Sequence, residues 1–300
     1  MTILSRDKKT ELKELDFRKF IPQTIQETSA QRELTSTKSL RNLNKCPICH
    51  GSGWITSKDE RGYFQATACE CRIVASLNDL RNYANIPRIY ENTRLKDIKC
   101  EYKDANKYKQ NILIASQFVK SFENLEGKGL YFWSKTRGSG KTMMAAAICN
   151  EILKSNEGRN IGQFKTVRFA TMAFMLDKVR SSFTKSESEW QDEGRRYLSK
   201  IKSCDLLVID DFGIEKVTEW AEEQIYEIIN ERYVNKKSTI VTSNLPIEEL
   251  PHDSRVKSRL NERNISIHYP EESVREKMAR LKQEKPLEWL KGYESKVGKE

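Results

Sequence analysis

No run in the 300-residue chain approaches the eighteen or so consecutive apolar residues that a membrane-spanning helix needs. The opening stretch, MTILSRDKKTELKEL, is charged from Arg6 onward and lacks the apolar segment and small-residue cleavage site of an export signal. These two absences set aside membrane and secreted readings and give the expectation of a cytoplasmic protein with no membrane partner. Acid is also in deficit, 43 Asp and Glu against 53 Lys and Arg, for a net charge of +10. The surplus favours a polyanionic partner, most simply nucleic acid through its phosphates, although a mixed-charge surface also serves solubility alone. Mean hydropathy is −0.71, so a core depends on how the 37% hydrophobic residues cluster. No internal repeat of solenoid period is visible.

Cysteines number seven, an odd count in a chain without export features, which disfavours a disulfide framework. Cys100, Cys149 and Cys204 stand alone, while Cys46, Cys49, Cys69 and Cys71 crowd together. C-x2-C, a nineteen-residue interval and C-x-C can bring four thiolates into the tetrahedron of a Zn2+ site. Gly51 and Gly53 suit the tight turn of a zinc knuckle. His50 is an alternative fourth ligand, strained by its adjacency to Cys49. Four protein ligands leave no open position, so the site reads as structural, supplying folding energy to a small module over 45–83. Trp54, Ile55, Tyr63 and Phe64 form either its small core or an exposed docking face.

Residues 1–44 are polar and charged, with a short apolar set at Leu12, Leu15, Phe17, Phe20 and Ile21. They read as a flexible arm or a helix ordered by a partner. A helix is expected over 73–83. From about Asn106, helical spacing and short apolar runs alternate. Strands are expected at 129–133, 167–170, 205–210 and 238–243, and helices at 108–125, 143–153, 172–183, 220–235 and 274–283. Such alternation predicts an α/β domain in three layers, a parallel sheet covered by helices on both faces. It spans 84–284, ahead of a charged tail, 285–300.

Between the first of these strands and the next helix lies Lys135-Thr-Arg-Gly-Ser-Gly-Lys-Thr142, the context of a phosphate-binding loop. Glycines at 138 and 140 let the backbone turn its N–H groups inward, and the helix start adds positive charge. Arg137, Gly138, Ser139, Gly140, Lys141, Thr142 and Met143 would surround the phosphates of a nucleotide, with Lys141 on the β/γ groups and Thr142 on Mg2+. The usual pattern calls for glycine where this chain has Lys135, which puts the backbone there in question. The strand Leu206-Leu-Val-Ile-Asp210-Asp211 places carboxylates at the edge where α/β ligands bind. Asp210 suits the Mg2+ shell, and Asp211 suits orienting or deprotonating a water. Thr242-Ser-Asn244 ends another strand, where a hydroxyl or amide can reach the same water or serve turn chemistry. Arg255 and Arg259 share one helix face, either solvated or projecting into a neighbouring subunit, and Arg275 opens the basic helix that follows. Lys178, Arg180, Lys185, Arg195 and Arg196 are candidates for DNA contact or plain surface.

Together with Ala145-Ala-Ala-Ile-Cys-Asn-Glu-Ile152, Arg255-Val-Lys-Ser-Arg-Leu260, Ser273-Val-Arg275 and Asn85-Ile-Pro-Arg-Ile-Tyr90, these motifs resemble the DnaC/DnaI-type replicative helicase loaders. Those are AAA+ ATPases with the transposition helper IstB as a close relative. The resemblance covers roughly 84–284. It implies an AAA+ P-loop domain that binds ATP and Mg2+, forms a homo-oligomer in the ATP state, grips single-stranded DNA and acts on a ring-shaped helicase. It casts Lys141 and Thr142 as phosphate and Mg2+ contacts, Asp210 and Asp211 as the Walker-B acids, Asn244 as sensor 1 and Arg275 as sensor 2. The arginine finger falls at Arg255 or Arg259. It also implies an N-terminal zinc-binding module for helicase interaction. Other readings are a nucleic-acid-binding adaptor with a structural nucleotide, and an IstB-like transposition helper.

Overall fold

The computed structural model describes residues 46–59, 61–98, 104–181, 189–214, 218–284 and 286. The expected arm over 1–44, the tail apart from Pro286, Cys100 and Lys185 lie outside the described residues. The chain enters through a hairpin, β1 (Trp54–Lys58) and β2 (Phe64–Ala68), antiparallel with Trp54 opposite Ala68 and Lys58 opposite Phe64. Its turn is held by the Asp59 carboxylate, which accepts the N–H groups of Arg61 and Tyr63, each at 2.9 Å. Tyr63 is 71% and Phe64 76% exposed, so the aromatic residues between the cysteines face outward rather than forming a core.

Helix α1 (Glu70–Ala84) follows directly and runs longer than expected, because it starts inside the cysteine cluster and ends against the larger body. At that end Asn85 turns left-handed, and its side-chain amide donates to the Phe169 carbonyl at 3.2 Å. Arg168 lies over the rings of Tyr83 and Tyr197, 5.0 and 5.2 Å from their centroids. Its guanidinium also donates to the Tyr83 carbonyl.

The larger body is built from α2 (Ala105–Lys120), β3 (Gly129–Trp133), α3 (Lys141–Lys154), β4 (Val167–Thr171), α4 (Met172–Ser181) and α5 (Glu189–Ser203). It continues with β5 (Leu206–Phe212), α6 (Glu219–Val234), β6 (Ser238–Ser243), α7 (Ser254–Arg263), β7 (Asn264–His268) and α8 (Val274–Glu284). The strands β3 to β7 form one parallel sheet in the order β4-β5-β6-β3-β7. Strands β5 and β6 thus separate β3 from β4, and the connections leaving the neighbours β3 and β6 run to opposite sides of the sheet, one to β4 and the other to β7. In such sheets ligands settle at the carboxyl ends of the strands, where the order switches.

Period-two geometry explains the continuous apolar strands. Leu130, Phe132, Leu206 and Val208 point to the face covered by α3 and α2, with Met144, Ile148, Ile152, Tyr108 and Phe118. Tyr131, Leu207, Ile209 and Val241 point to the opposite face, against Met175 and Val179 of α4, Ile201 of α5, Ile225 and Ile228 of α6, and Leu260 of α7. Three helix starts are capped as their sequences demand. Asp104 accepts from Lys107 N–H, Thr218 from Ala221 N–H and Asp253 from Arg255 N–H.

Candidate functional site

Residues 134–140 bend from the carboxyl end of β3 into α3. Gly138 and Gly140 both lie in the left-handed region, with φ of 76° and 88°, and Gly140 is the N-cap of α3. A Cβ on Gly138 would sit 2.9 Å from both the Arg275 Cβ and the Ser273 hydroxyl, so only glycine fits beneath the start of α8. The Gly138 carbonyl accepts the Val274 N–H at 3.0 Å and the Arg275 N–H at 3.4 Å. Lys135 is not among the residues of positive φ, so the lysine fits without left-handed strain. Its N–H donates to Glu271 Oε1 at 3.0 Å, and its side chain reaches Glu249 at 3.3 Å.

Lys141 opens α3 and is buried. Its ammonium donates to the carbonyls of Ser134 and Thr136 at 3.3 and 3.2 Å and to the Ser139 hydroxyl at 3.2 Å. Burial lowers its pKa, against the opposing charges of Asp211, Glu271 and Asp210. A cation withdrawn from water and held by neutral oxygens at a helix N-terminus is primed for a polyanion. Next to it, the Thr142 hydroxyl donates to Asp210 Oδ1 at 2.9 Å. The same carboxylate oxygen accepts from Thr242 at 2.5 Å. Burial raises the Asp210 pKa, aided by the Asp211 charge and opposed by the two hydroxyls and Lys141.

At Asp211 the ladder between β5 and β6 is irregular, and φ is +56°. The residue is exposed, and its N–H donates to the Thr242 hydroxyl at 3.1 Å. A left-handed aspartate at a strand end is backbone strain that redirects a carboxylate out of the pleat. Asn244 follows β6 and is half-buried, one residue beyond the positions where Ser243 pairs with Trp133 and Phe212. Thus Lys141, Thr142, Asp210, Asp211, Asn244 and Arg275 gather at one edge of the sheet. Arg137 is exposed on the loop and Met143 half-buried in the first turn of α3.

Arg255 and Arg259 contact α6 and the cap of α7 instead. Arg255 is exposed, pairs with Asp253 at 3.0 Å and lies 4.5 Å over the Tyr226 ring. Arg259 donates to Asn230 Oδ1 at 2.9 Å and to the Tyr226 hydroxyl at 3.1 Å. Of the basic residues considered for DNA, Arg180, Arg195 and Arg196 are exposed and Lys178 is half-buried. Glu271 and the Asp210 contact of Thr242 were not anticipated. The only local hint was a hydroxyl two residues before Asn244.

The sulfurs of Cys46, Cys49, Cys69 and Cys71 all lie within 4.8 Å of one another, with Cys46 to Cys69 at 3.8 Å and Cys49 to Cys71 at 3.4 Å. Sulfurs about 3.8 Å apart are the edges of a tetrahedron with metal–sulfur bonds near 2.3 Å, so the set fits Zn2+. The Gly53 N–H donates to Cys49 Sγ at 3.3 Å, as a knuckle requires. Burial, with the neighbouring thiols, pushes the Cys71 thiol up, whereas at Cys49 burial is outweighed by the Gly53 N–H and the Cys71 thiol, which bring the thiol down to about 6. His50 is exposed, outside the cluster.

Sheet order, glycine loop and facing carboxylate define a nucleotide-binding AAA+-type P-loop fold. The chain belongs to the IstB-like ATP binding protein family, whose model matches residues 76–255, more than half of its length. It is 28% identical over 136 residues to the replicative helicase loader DnaC of Escherichia coli strain K12, covering 45% of this chain and 50% of that protein. To the replicative helicase loader DnaI of Bacillus subtilis strain 168 it is 29% identical over 139 residues, covering 46% and 40%. The chain thus spans about half the length of these curated relatives or less. A crystal structure of the DnaC helicase loader superposes with a TM-score of 0.51 at 25% identity, over 61% of this chain and 99% of that one.

Proposed function

We propose that the chain is an ATP-hydrolysing DNA-replication protein that engages a ring-shaped replicative helicase and single-stranded DNA, and that assembles with copies of itself when ATP is bound. The observation that carries this reading is the Thr142–Asp210 contact of 2.9 Å beside a buried loop lysine. Those two oxygens would hold Mg2+, which supplies charge neutralisation to the β- and γ-phosphates. Lys141 would exchange its carbonyl partners for phosphate oxygens. Asp211, aimed outward, orients the attacking water, Asn244 holds it from the side, and Arg275 approaches from α8. Either the exposed Arg255 or the tethered Arg259 supplies the arginine finger for a neighbouring protomer's site. The cysteine cluster holds Zn2+ as the pin of a docking module for the helicase.

Pull-down from cell extract, with and without ATP, followed by identification of what is retained, tests this reading. The expected result is a hexameric helicase whose retention changes with ATP, together with turnover that single-stranded DNA alters. Since the matching family is named for IstB, a transposition helper is the second reading, and retention of a transposase in place of a helicase would select it. Turnover that Asp211→Asn leaves unchanged, with DNA binding intact, would make the chain an adaptor with a structural nucleotide instead.

A further inference from the structure

The entry to the phosphate loop is held from outside the loop. The Glu271 side chain reaches it from the short link between β7 and α8. Its Oε1 accepts the Lys135 N–H at 3.0 Å, and its Oε2 accepts the Thr136 N–H at 2.8 Å and the Ser134 hydroxyl at 3.0 Å. The carboxylate is itself braced. His268 Nε2 lies 2.7 Å from Oε1, the His268 ring stacks on Trp133 with centroids 4.1 Å apart, and Lys107 Nζ of α2 lies 2.8 Å from His268 Nδ1. All three loop groups that Glu271 takes up precede Gly138, so the N–H groups at the helix start stay free of it.

We propose that Glu271 is a positioning residue for the phosphate loop, a carboxylate clamp that sets the 134–136 backbone where the usual loop pattern has glycine and this chain has Lys135. The inference rests on the nucleotide-binding reading above and deepens it. Two further contacts extend the clamp. The Lys141 ammonium is parked on the carbonyls of Ser134 and Thr136, so fixing those two residues fixes where the lysine waits. Three and four residues beyond Glu271, the chain donates the Val274 and Arg275 N–H groups to the Gly138 carbonyl. One short segment therefore holds the loop at its entry and at its middle, and carries Arg275 with it. A charged acceptor of three hydrogen bonds is a stronger tether than neutral partners would be.

The test is MgATP affinity, by titration with a fluorescent ATP analogue, and steady-state KM and kcat for the full-length chain, Glu271→Gln and Glu271→Ala. Loss of charge-assisted hydrogen bonds predicts a KM and dissociation constant raised about tenfold in Glu271→Ala and about threefold in Glu271→Gln, with kcat changed less than twofold. A merely structural residue would lower the thermal midpoint and the active fraction together and leave KM in place. Glu271→Ala with wild-type affinity overturns the clamp while leaving the ATP reading intact. Absence of ATP binding in the wild-type chain overturns the ATP reading itself. Should Glu271→Ala fail to fold, Glu271→Gln decides by the same KM criterion.

Discussion

Asp211, proposed above to orient the attacking water, holds a costly backbone conformation. Its φ of +56° is a conformation that costs an L-residue about 1–2 kcal/mol, and nothing in the packing of an exposed side chain repays it. Asp211→Gly is therefore expected to raise unfolding free energy by about 1 kcal/mol in a urea titration while lowering ATP turnover about a hundredfold or more. A variant that is more stable and equally active would separate the strain from catalysis. Glu271 makes a second prediction through pH. Burial would push its pKa up, but hydrogen bonds from His268, Thr136 and Lys135 outweigh burial and bring it from 4.5 to about 2. A depressed folded-state pKa stabilises above the unfolded value and ceases to do so as pH falls through the folded one. The stability gap between wild type and Glu271→Gln should hold above about pH 5 and close between about 4.5 and about 2, read from denaturation midpoints across pH.

At the scale of elements, the strands most legible in the sequence are those buried on both faces. Leu206 to Ile209 had to be apolar throughout because α3 covers one side and α6 the other, and an unbroken apolar run is readable without any knowledge of neighbours. Strand β7 escaped because, among the described strands, it lies at the sheet edge paired only with β3, and Asn264-Ile-Ser-Ile-His268 offers just two apolar residues, of which Ile265 is 55% exposed. The hairpin escaped because no face of it is buried. Helix α3 begins two residues earlier than its apolar pattern, since left-handed Gly140 lets the helix start directly at Lys141. The Glu271 clamp was illegible for another reason: it joins positions 136 residues apart, and only the pairing of β7 with β3 brings them together.

Arg232 is a further long-range tie. Fully buried on α6, it donates to the carbonyls of Ile201, Cys204 and Ser238 and to the Thr239 hydroxyl, joining the end of α5 to the start of β6. Arg232→Ala should cost about 3 kcal/mol or more by stranding those acceptors, measured by chemical denaturation. A loss below about 0.5 kcal/mol would show that water replaces the guanidinium.

Over the whole molecule, α1 joins the two sites. Its first turn carries Cys71, and its last carries Tyr83 and Ala84 against β4 and α5. Among the described residues no helix is long and apolar enough to cross a membrane. Removing one sulfur should dismantle the cluster without disturbing the phosphate loop, because the loop's contacts come from β6, the link after β7 and the start of α8. If the cluster binds zinc and docks a helicase as proposed, Cys69→Ser is expected to lose about one zinc ion per chain by elemental analysis, and helicase capture with it, while MgATP binding is retained. Zinc content unchanged in Cys69→Ser would remove the four-sulfur assignment.

Whether a triphosphate sits in the bend between β3 and α3 is read by calorimetric titration of MgATP into the wild-type chain and into Lys141→Ala. The expected result is one ATP bound per wild-type chain, heat that depends on Mg2+, and no measurable binding by the variant with its fold and zinc intact. Equal binding by the two proteins would contradict it, since the triphosphate would then lie somewhere other than the bend between β3 and α3.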